Sequence, residues 1–182
     1  MADAAQETRR VLLAQSGDRA ALEELFESIE SPLSRYILSL TGRRELAEDI
    51  LQEVFILIYR KLYWLREPAL FRPWAYRIAS REVVRQLKRE RAWRDRLDSD
   101  AALDALPAAE AEGEFRPEWR ELLPELLTRL SPASRMVVVL HYLHEMPLAE
   151  VAEILGVPLG TAKSRLAYGL AALRREVQKL AV

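Results

Sequence analysis

Four cations recur at helical spacing in one stretch of the chain. Arg77, Arg81, Arg85 and Lys88 are separated by four, four and three positions, so they share one face of a predicted helix. Like charges at this spacing repel one another, and a polyphosphate backbone is the anion that would offset the repulsion. Residues 59–93 contain 10 basic and 3 acidic side chains. The pattern predicts a nucleic-acid surface, with a solvated basic face as the alternative.

Aromatic residues accompany these cations. Rings interleaved with arginines are typical of surfaces that stack on the exposed bases of a single strand. Taken singly, however, each ring fits a core position better than a base-stacking one. The candidate contacts of this surface are Phe71, Arg72, Trp74, Tyr76, Arg77, Arg81, Arg85 and Lys88.

A second candidate nucleic-acid site lies near the C-terminus. Residues 148–155 have the apolar spacing of a short helix, Gly156 suits the positive φ of a helix C-terminus, and Pro158 suits the first turn of a following helix. A helix-turn-helix is built in this way, and its second helix lies in the DNA major groove. An ordinary helical hairpin is the alternative. We expect Ala162 and Leu166 to face inward, and the candidate DNA contacts are Pro158, Thr161, Lys163, Ser164, Arg165 and Tyr168.

The predicted helix over 44–65 has two distinct faces. Its core stripe follows i, i+3, i+4 steps through Ala47, Ile50, Leu51, Val54, Phe55, Ile58 and Leu62. Acidic and apolar residues lie off this stripe, which predicts a surface for a protein partner. A wider buried stripe would explain the same residues. The candidate partner contacts are Asp49, Gln52, Glu53, Ile56, Leu57 and Arg60.

The elements that must position these residues are all helices. We predict helices over 8–15, 18–30, 32–41, 44–65 and 73–91, and no segment alternates with the period of a strand. Residues 94–118 carry 3 basic and 8 acidic residues and few apolar ones, which predicts a flexible acidic linker with a short helix possible at 101–106. The 182-residue chain is therefore predicted to be all-α, with two small helical domains at 1–93 and 119–182.

Composition excludes several function classes. The chain has no Cys, which rules out disulfides and thiolate chemistry. It shows no phosphate-cradling glycine loop and no set of His, acid and nucleophile, so we expect no enzyme, no cofactor and no metal site. His141 and His144 fit a polar rim better than a pair of metal ligands. The start lacks a signal peptide and no apolar run reaches membrane-spanning length, so we expect a cytoplasmic protein without membrane insertion.

Four motifs resemble one family. Residues 48–55 (EDILQEVF) resemble the "AEDLVQEVF" core of region 2 in bacterial sigma factors, and residues 71–79 (FRPWAYRIA) resemble its "FRTWLYRIA". Residues 130–140 (LSPASRMVVVL) are similar to the "LPPRQREVLLL" that opens region 4, and 148–166 to its "YAEIAEILGVPEGTVKSRL". The motifs stand in the family's order, with no room for region 3 between them. This arrangement resembles the extracytoplasmic-function (ECF) sigma factors.

The resemblance implies a function for each candidate site. The outer face of the helix over 44–65 would bind core RNA polymerase, the basic helix would hold the unwound −10 strand, and the helix-turn-helix would read the −35 duplex. Promoter DNA and an anti-sigma factor are the other implied partners. Two departures stand out: Arg81 and Arg85 replace polar residues common in relatives, and Tyr168 stands where relatives carry Arg. Fewer cations on the recognition helix predict weak −35 binding. The alternative is therefore a sigma-like interaction protein that reads DNA poorly.

Overall fold

The structure is a computed structural model that describes residues 2–89 and 123–180. Within these two ranges the chain is helical and contains no strand, which confirms the all-α fold class. In the same ranges no helix is both long enough and apolar enough to cross a membrane. The predicted linker at 94–118, with its possible helix at 101–106, lies outside the described residues.

The first domain contains four α-helices. They are α1 (Ala2–Gln15), α2 (Arg19–Thr41), α3 (Arg44–Lys61) and α4 (Phe71–Lys88). Two short 3₁₀ turns, Leu62–Trp64 and Pro68–Leu70, connect α3 to α4. Helix α1 begins earlier than predicted. The predicted C-terminal end of the helix over 44–65 is wrong, because α3 ends at Lys61 and the chain then forms the first 3₁₀ turn. Helix α4 begins two residues before Pro73, which therefore lies in its first turn, where a missing N–H costs nothing.

The predicted break before Pro32 is wrong, since α2 continues through this proline. The Asp18 side chain caps the helix by accepting a hydrogen bond from the Ala21 N–H at 3.1 Å, and Gly42 ends it with a φ of 65°. A proline inside a helix removes one backbone hydrogen bond and costs about 3 kcal/mol. The buried stripe continues across it, however, through Leu25, Ile29, Leu33, Ile37 and Leu40. Tertiary burial of this stripe outweighs the local cost.

The predicted core stripe of α3 is confirmed. Ala47, Ile50, Val54, Ile58 and Leu62 are buried, while Leu51 and Phe55 are half-buried against the same core. Phe55 packs on Phe26 of α2, with ring centroids 5.0 Å apart. Helix α3 is thus fixed from one side, and its opposite side is left for other contacts.

The second domain also consists of helices. They are α5 (Leu123–Thr128), α6 (Pro132–Val138), α7 (Leu148–Leu155) and α8 (Leu159–Leu180), and a π-helical turn (Val139–Leu143) extends α6. The Ser131 side chain caps α6 by accepting from the Ser134 N–H. Gly169 lies where α8 crosses α6: a Cβ at this position would lie 2.7 Å from Val138 Cγ2. The absence of a side chain at Gly169 therefore permits the close approach of the two helices.

The two domains pack against each other, α4 on α7 and the end of α2 on α5. The buried guanidinium of Arg135, in α6, donates to the backbone oxygens of Leu40 (2.6 Å), Thr128 (2.9 Å) and Leu130 (3.1 Å). Carbonyls at helix C-termini lack intrahelical partners and carry partial negative charge, so a cation matches them. One side chain therefore joins helix ends from both domains.

Candidate nucleic-acid interface

The outer face of α3 is available to a partner. Asp49, Gln52, Glu53 and Arg60 are exposed, and Ile56 is 37% exposed although it is a large apolar side chain. Leu57 is half-buried and packs against the core. The alternative of a wider buried stripe on α3 therefore holds for Leu57 alone. The other residues of this face place acidic and apolar groups at the surface.

An aromatic turn that the sequence analysis did not single out follows this face. The 3₁₀ turn Leu62–Trp64 is anchored by buried Leu62 and exposes Tyr63 (72%) and Trp64 (76%). The two rings meet edge to face, with centroids 5.6 Å apart. Two neighbouring tyrosine and tryptophan side chains in solvent, flanked by Lys61 and Arg66, form a surface suited to stacking on unpaired bases. The signal in the sequence was an aromatic pair just beyond the end of a core stripe.

The aromatic residues predicted to stack on DNA have mixed surroundings. Phe71 and Tyr76 are core residues, 0% and 1% exposed, so the core alternative holds for both. Trp74 is half-buried against the core, 6.2 Å from the Phe71 ring. Arg72 pairs with Glu7 of α1 at 2.6 Å. The exposed rings of the aromatic turn, Tyr63 and Trp64, are therefore better stacking candidates than Phe71, Trp74 and Tyr76.

The first half of the predicted basic face faces the second domain. Arg77 Nη2 donates to the backbone oxygen of Glu153, at the end of α7, at 2.8 Å. Its Nε is buried and has no hydrogen-bond partner in the part of the chain that the structure describes. Arg81 is exposed and lines a largely apolar groove of about 310 Å³ between the domains. Arg165 of α8 lines the same groove, so two predicted DNA contacts from different domains meet there.

The second half of the basic face is partly neutralised. The Arg85 guanidinium donates three hydrogen bonds to the Glu82 carboxylate, at 2.6, 2.8 and 3.1 Å, and this contact raises the pKa of Arg85 above its usual value. The Glu82 side chain is 4% exposed and also accepts from Gln86 at 3.0 Å. Arg85 and Lys88 are both exposed, but the hydrogen-bond and ion-pair contacts of the described residues engage Arg85 and not Lys88. The four cations are therefore not equivalent: Arg77 and Arg85 are engaged by protein groups, whereas Arg81 and Lys88 are exposed and unpaired among the described residues.

An aromatic cluster lies where the domains meet. Tyr36, Tyr76 and His144 pack edge to face with centroids 5.2–5.6 Å apart, and the Tyr76 hydroxyl shares a hydrogen bond with His144 Nδ1 at 2.8 Å. Burial raises the pKa of Tyr76 to about 12 and, with a smaller contribution from Arg35, lowers the pKa of His144 to about 4. A neutral imidazole is therefore the form that fits this contact.

The other histidine has a structural contact as well. His141 Nδ1 lies 2.8 Å from the Met146 backbone oxygen, within hydrogen-bond distance. Across residues 2–89 and 123–180, no group of three or more His, Asp or Glu side chains has the arrangement of a metal site. Both histidines therefore act in packing within this structure.

The second domain contains the predicted helix-turn-helix, α7 followed by α8. Gly156 ends α7 with a φ of 68°, and α8 begins directly after Pro158. Ala162 and Leu166 are buried (0% and 7% exposed), which confirms their inward orientation. The first turn of α8 therefore presents the opposite set of side chains outward.

The predicted −35 contacts differ in accessibility. Pro158 and Lys163 are exposed, whereas Thr161, Ser164, Arg165 and Tyr168 are half-buried. The Ser164 hydroxyl donates to the Thr161 backbone oxygen at 3.0 Å. Lys163 is therefore more accessible than Arg165, the other cation in the first turns of α8.

The fold and these surfaces define a two-domain helical protein with a helix-turn-helix in its second domain. A family model described as Sigma-70 region 2 matches residues 25–94, and a model described as Sigma-70, region 4 matches residues 120–173. The chain belongs to the ECF RNA polymerase sigma factors. Sigma factors are transcription initiation factors rather than enzymes.

Several relatives match over nearly the whole chain. The chain is 25% identical to the ECF RNA polymerase sigma factor SigW of Bacillus subtilis, covering 94% of this chain and 97% of that protein. It is 29% identical to the ECF RNA polymerase sigma factor SigL of Mycobacterium tuberculosis, covering 95% and 98%.

Two solved structures share the fold. The structure of CnrH in complex with the cytosolic domain of CnrY has a TM-score of 0.71 at 22% identity, over 96% of this chain and 98% of that one. The co-crystal structure of the sigma factor RpoE with the anti-sigma factor NepR from Bartonella quintana has a TM-score of 0.64 at 21% identity, over 86% and 96%. At these identities the likeness concerns the fold alone.

Proposed function

We propose that this protein binds core RNA polymerase through the outer face of α3 and opens promoters with the aromatic turn beside it. The observation that carries the proposal is the exposure of Tyr63 and Trp64 directly after an acidic and apolar helix face. A sigma factor must be held on polymerase and must also capture unpaired bases. Here the two surfaces required for these tasks are consecutive in the chain and rest on one core.

The −10 strand would be held by the aromatic turn together with the basic face of α4. Tyr63 and Trp64 supply stacking, which is tolerant of sequence because every base has a π-face. Arg81 and Lys88 supply cations for the phosphates. The turn would therefore capture the bases, and α4 would position the backbone.

The −35 duplex would be read by the first turns of α8. Lys163 is the accessible cation near the helix N-terminus, where recognition helices contact base edges. Thr161, Ser164, Arg165 and Tyr168 complete the candidate set, and Pro158 lies at the entry to the helix. Binding of both promoter elements would require the contact between the domains to open, because Arg77 is bonded to Glu153 and Arg165 faces the groove beside Arg81.

The test is transcription with reconstituted polymerase. Core polymerase plus this protein is incubated with genomic DNA, and the 5′ ends of the transcripts identify its promoters. Permanganate reactivity of thymines on such a promoter then measures strand opening. Replacing Tyr63 and Trp64 by Ala should reduce opening while leaving core binding intact. Unchanged opening by this variant would contradict the role of the aromatic turn.

The polymerase contact needs a separate variant. Asp49→Arg combined with Ile56→Glu should abolish core binding in a co-purification assay, because both side chains are exposed on the outer face of α3. Ile56 is a better probe than Leu57, which packs partly in the core. Glu23→Arg, on exposed α2 surface, is the matched charge-reversal control and should bind core normally. Core binding by a folded double variant would exclude this face.

A sigma-like protein that binds polymerase but reads DNA poorly is the second candidate function. The observation in its favour is that Arg77 and Arg165 both lie at the contact between the domains. Transcripts with scattered 5′ ends, together with normal core binding, would favour this candidate.

We also propose an anti-sigma factor as a regulator and the cytoplasm as the location. The support is that one structural neighbour was solved with an anti-sigma factor and another with a cytosolic domain. Co-purification of the tagged protein with the product of a neighbouring gene tests the first proposal. A tagged protein that fractionates with membranes would contradict the second.

A further inference from the structure

The aromatic turn is held by a side chain that is distant in sequence. Gln15, the last residue of α1, donates from Nε2 to the backbone oxygens of Leu62 and Leu65, both at 2.8 Å. These two carbonyls bracket Tyr63 and Trp64. The Leu65 N–H also bonds to the Leu62 oxygen at 3.0 Å, which closes the 3₁₀ turn. A single amide therefore fixes the backbone on both sides of the exposed ring pair.

Helix α1 also holds the far end of the same connection. Glu7 pairs with Arg72 at 2.6 Å, and the Glu7 side chain is only 12% exposed. The connection between α3 and α4 is thus fixed to α1 at residues 62 and 65 by Gln15 and at residue 72 by Glu7. The region 2 family model begins at residue 25, so neither Gln15 nor Glu7 lies within the matched residues.

The exposed rings need such an anchor because they have little packing of their own. Tyr63 and Trp64 are more than two-thirds exposed, so the core holds this turn only through its flanking residues Leu62 and Leu65. A short exposed loop without tertiary hydrogen bonds samples many conformations, and ordering it on binding costs conformational entropy. Bonds from Gln15 remove that cost before the DNA arrives. Carbonyl oxygens accept only, so an amide N–H₂ can serve both of them while a carboxylate cannot.

We propose that Gln15 is a positioning residue for promoter opening: its amide fixes the Leu62–Leu65 backbone so that Tyr63 and Trp64 are preorganised to stack on unpaired bases. This inference rests on the proposed function of the aromatic turn. Gln15 itself touches no base, and its effect passes entirely through the two rings.

The test uses the holoenzyme on a mapped promoter. Gln15→Met keeps the length of the side chain and removes the donor, and Gln15→Glu keeps the shape and replaces the donor by an acceptor. Both variants should slow permanganate-detected opening by roughly three- to tenfold, the size of one or two ordinary hydrogen bonds, with core binding unchanged. Arg10→Ala, on the same helix as Gln15, removes an ion pair with Glu24 of α2; it is the matched control and should open the promoter normally.

A double-mutant cycle separates positioning from general stability. In a chain that already carries Ala at positions 63 and 64, Gln15→Met should cause no further loss of opening, because the rings through which it acts are gone. An additional loss of the same size as in the wild-type background would overturn the inference, as would normal opening by both Gln15 variants. If the Tyr63 and Trp64 variant itself opens normally, the proposed function of the turn and this inference both fail. Normal opening by the Gln15 variants alone overturns only the inference.

Discussion

The salt dependence of −10 strand binding should distinguish the cations of α4. Each phosphate contact to a single strand contributes about 0.7 to the slope of log affinity against log salt. Spacing alone predicts that Arg81 and Arg85 each make such a contact, so that removing both flattens the slope by about 1.4. The structure gives the two residues different surroundings, and the expected magnitude changes accordingly.

Arg85 is held by Glu82, which cannot easily release it. The pair shares hydrogen bonds of 2.6 and 2.8 Å, and the carboxylate is buried with only Gln86 as a further side-chain donor among the described residues. A phosphate contact by Arg85 would strand this buried carboxylate, which is the costly way to break such a pair. Arg81 has no hydrogen-bonded or ion-paired partner among the described residues. We expect Arg81→Ala to flatten the slope by about 0.7, or about fivefold in Kd per tenfold change in salt, and Arg85→Ala to leave it nearly unchanged.

The assay is fluorescence anisotropy of a labelled −10 single strand titrated with holoenzyme over a series of salt concentrations. Arg85→Ala combined with Glu82→Gln is the control, because it removes the arginine without leaving an unpaired buried carboxylate. Circular dichroism checks that every variant is folded. If the folded double variant flattens the slope as much as Arg81→Ala does, then Arg85 binds phosphate in the wild-type protein, and the argument from its buried partner is refuted.

Three further predictions concern the second domain and its contact with the first. Gly169→Ala should lower the free energy of unfolding, because overpacking against Val138 costs about 1–3 kcal/mol, more than the helix-propensity gain of up to about 1 kcal/mol. Gly160→Ala should instead raise the free energy of unfolding, because a Cβ at this position meets nothing within 4 Å. Equal urea midpoints for the two variants would contradict the close crossing of α8 and α6. Because the pKa of His144 is lowered to about 4 in the folded protein, the stability that this residue contributes is complete above the ordinary pKa of 6.5 and is lost as the pH falls toward 4. The urea midpoint of the wild-type protein should therefore fall between pH 7 and pH 5, and His144→Gln should reduce that fall. An equal fall in both proteins would show that His144 does not cause the pH dependence. Tyr168→Arg should strengthen −35 duplex binding with little sequence preference, and weaker binding would show that the tyrosine packs or reads a base.

Much of this protein follows from local patterns in its sequence. The buried stripe of α3, the glycine that ends α7 and the inward positions of Ala162 and Leu166 are set by helical periodicity and by backbone conformations that few residues adopt. The accessible outer face of α3 follows from the same periodicity, since residues off the stripe must point away from the core. Local rules therefore predicted the fold class, the helix-turn-helix and most of one candidate surface.

Local rules were wrong where packing opposed them. Pro32 should end a helix, but the stripe through Ile29 and Leu33 of α2 is buried on both sides of it, and this burial keeps one continuous helix. Tyr76 alternates with cations as a stacking residue would, yet helical geometry turns its ring into the core beside Tyr36. The sequence contained both possibilities, and the packing of α2 against α4 selected one.

Only the tertiary structure decided which side chains are engaged in contacts with distant parts of the chain and which remain exposed for a partner. The contacts of Gln15 with Leu62, of Tyr76 with His144 and of Arg135 with Leu40 join residues 47, 68 and 95 positions apart. Periodicity fixes which face of a helix is apolar, but it does not fix which helix lies against that face or at what angle. Contacts between distant residues depend on that choice, and for this reason the anchoring of the aromatic turn and the joining of the two domains became visible only in the folded chain.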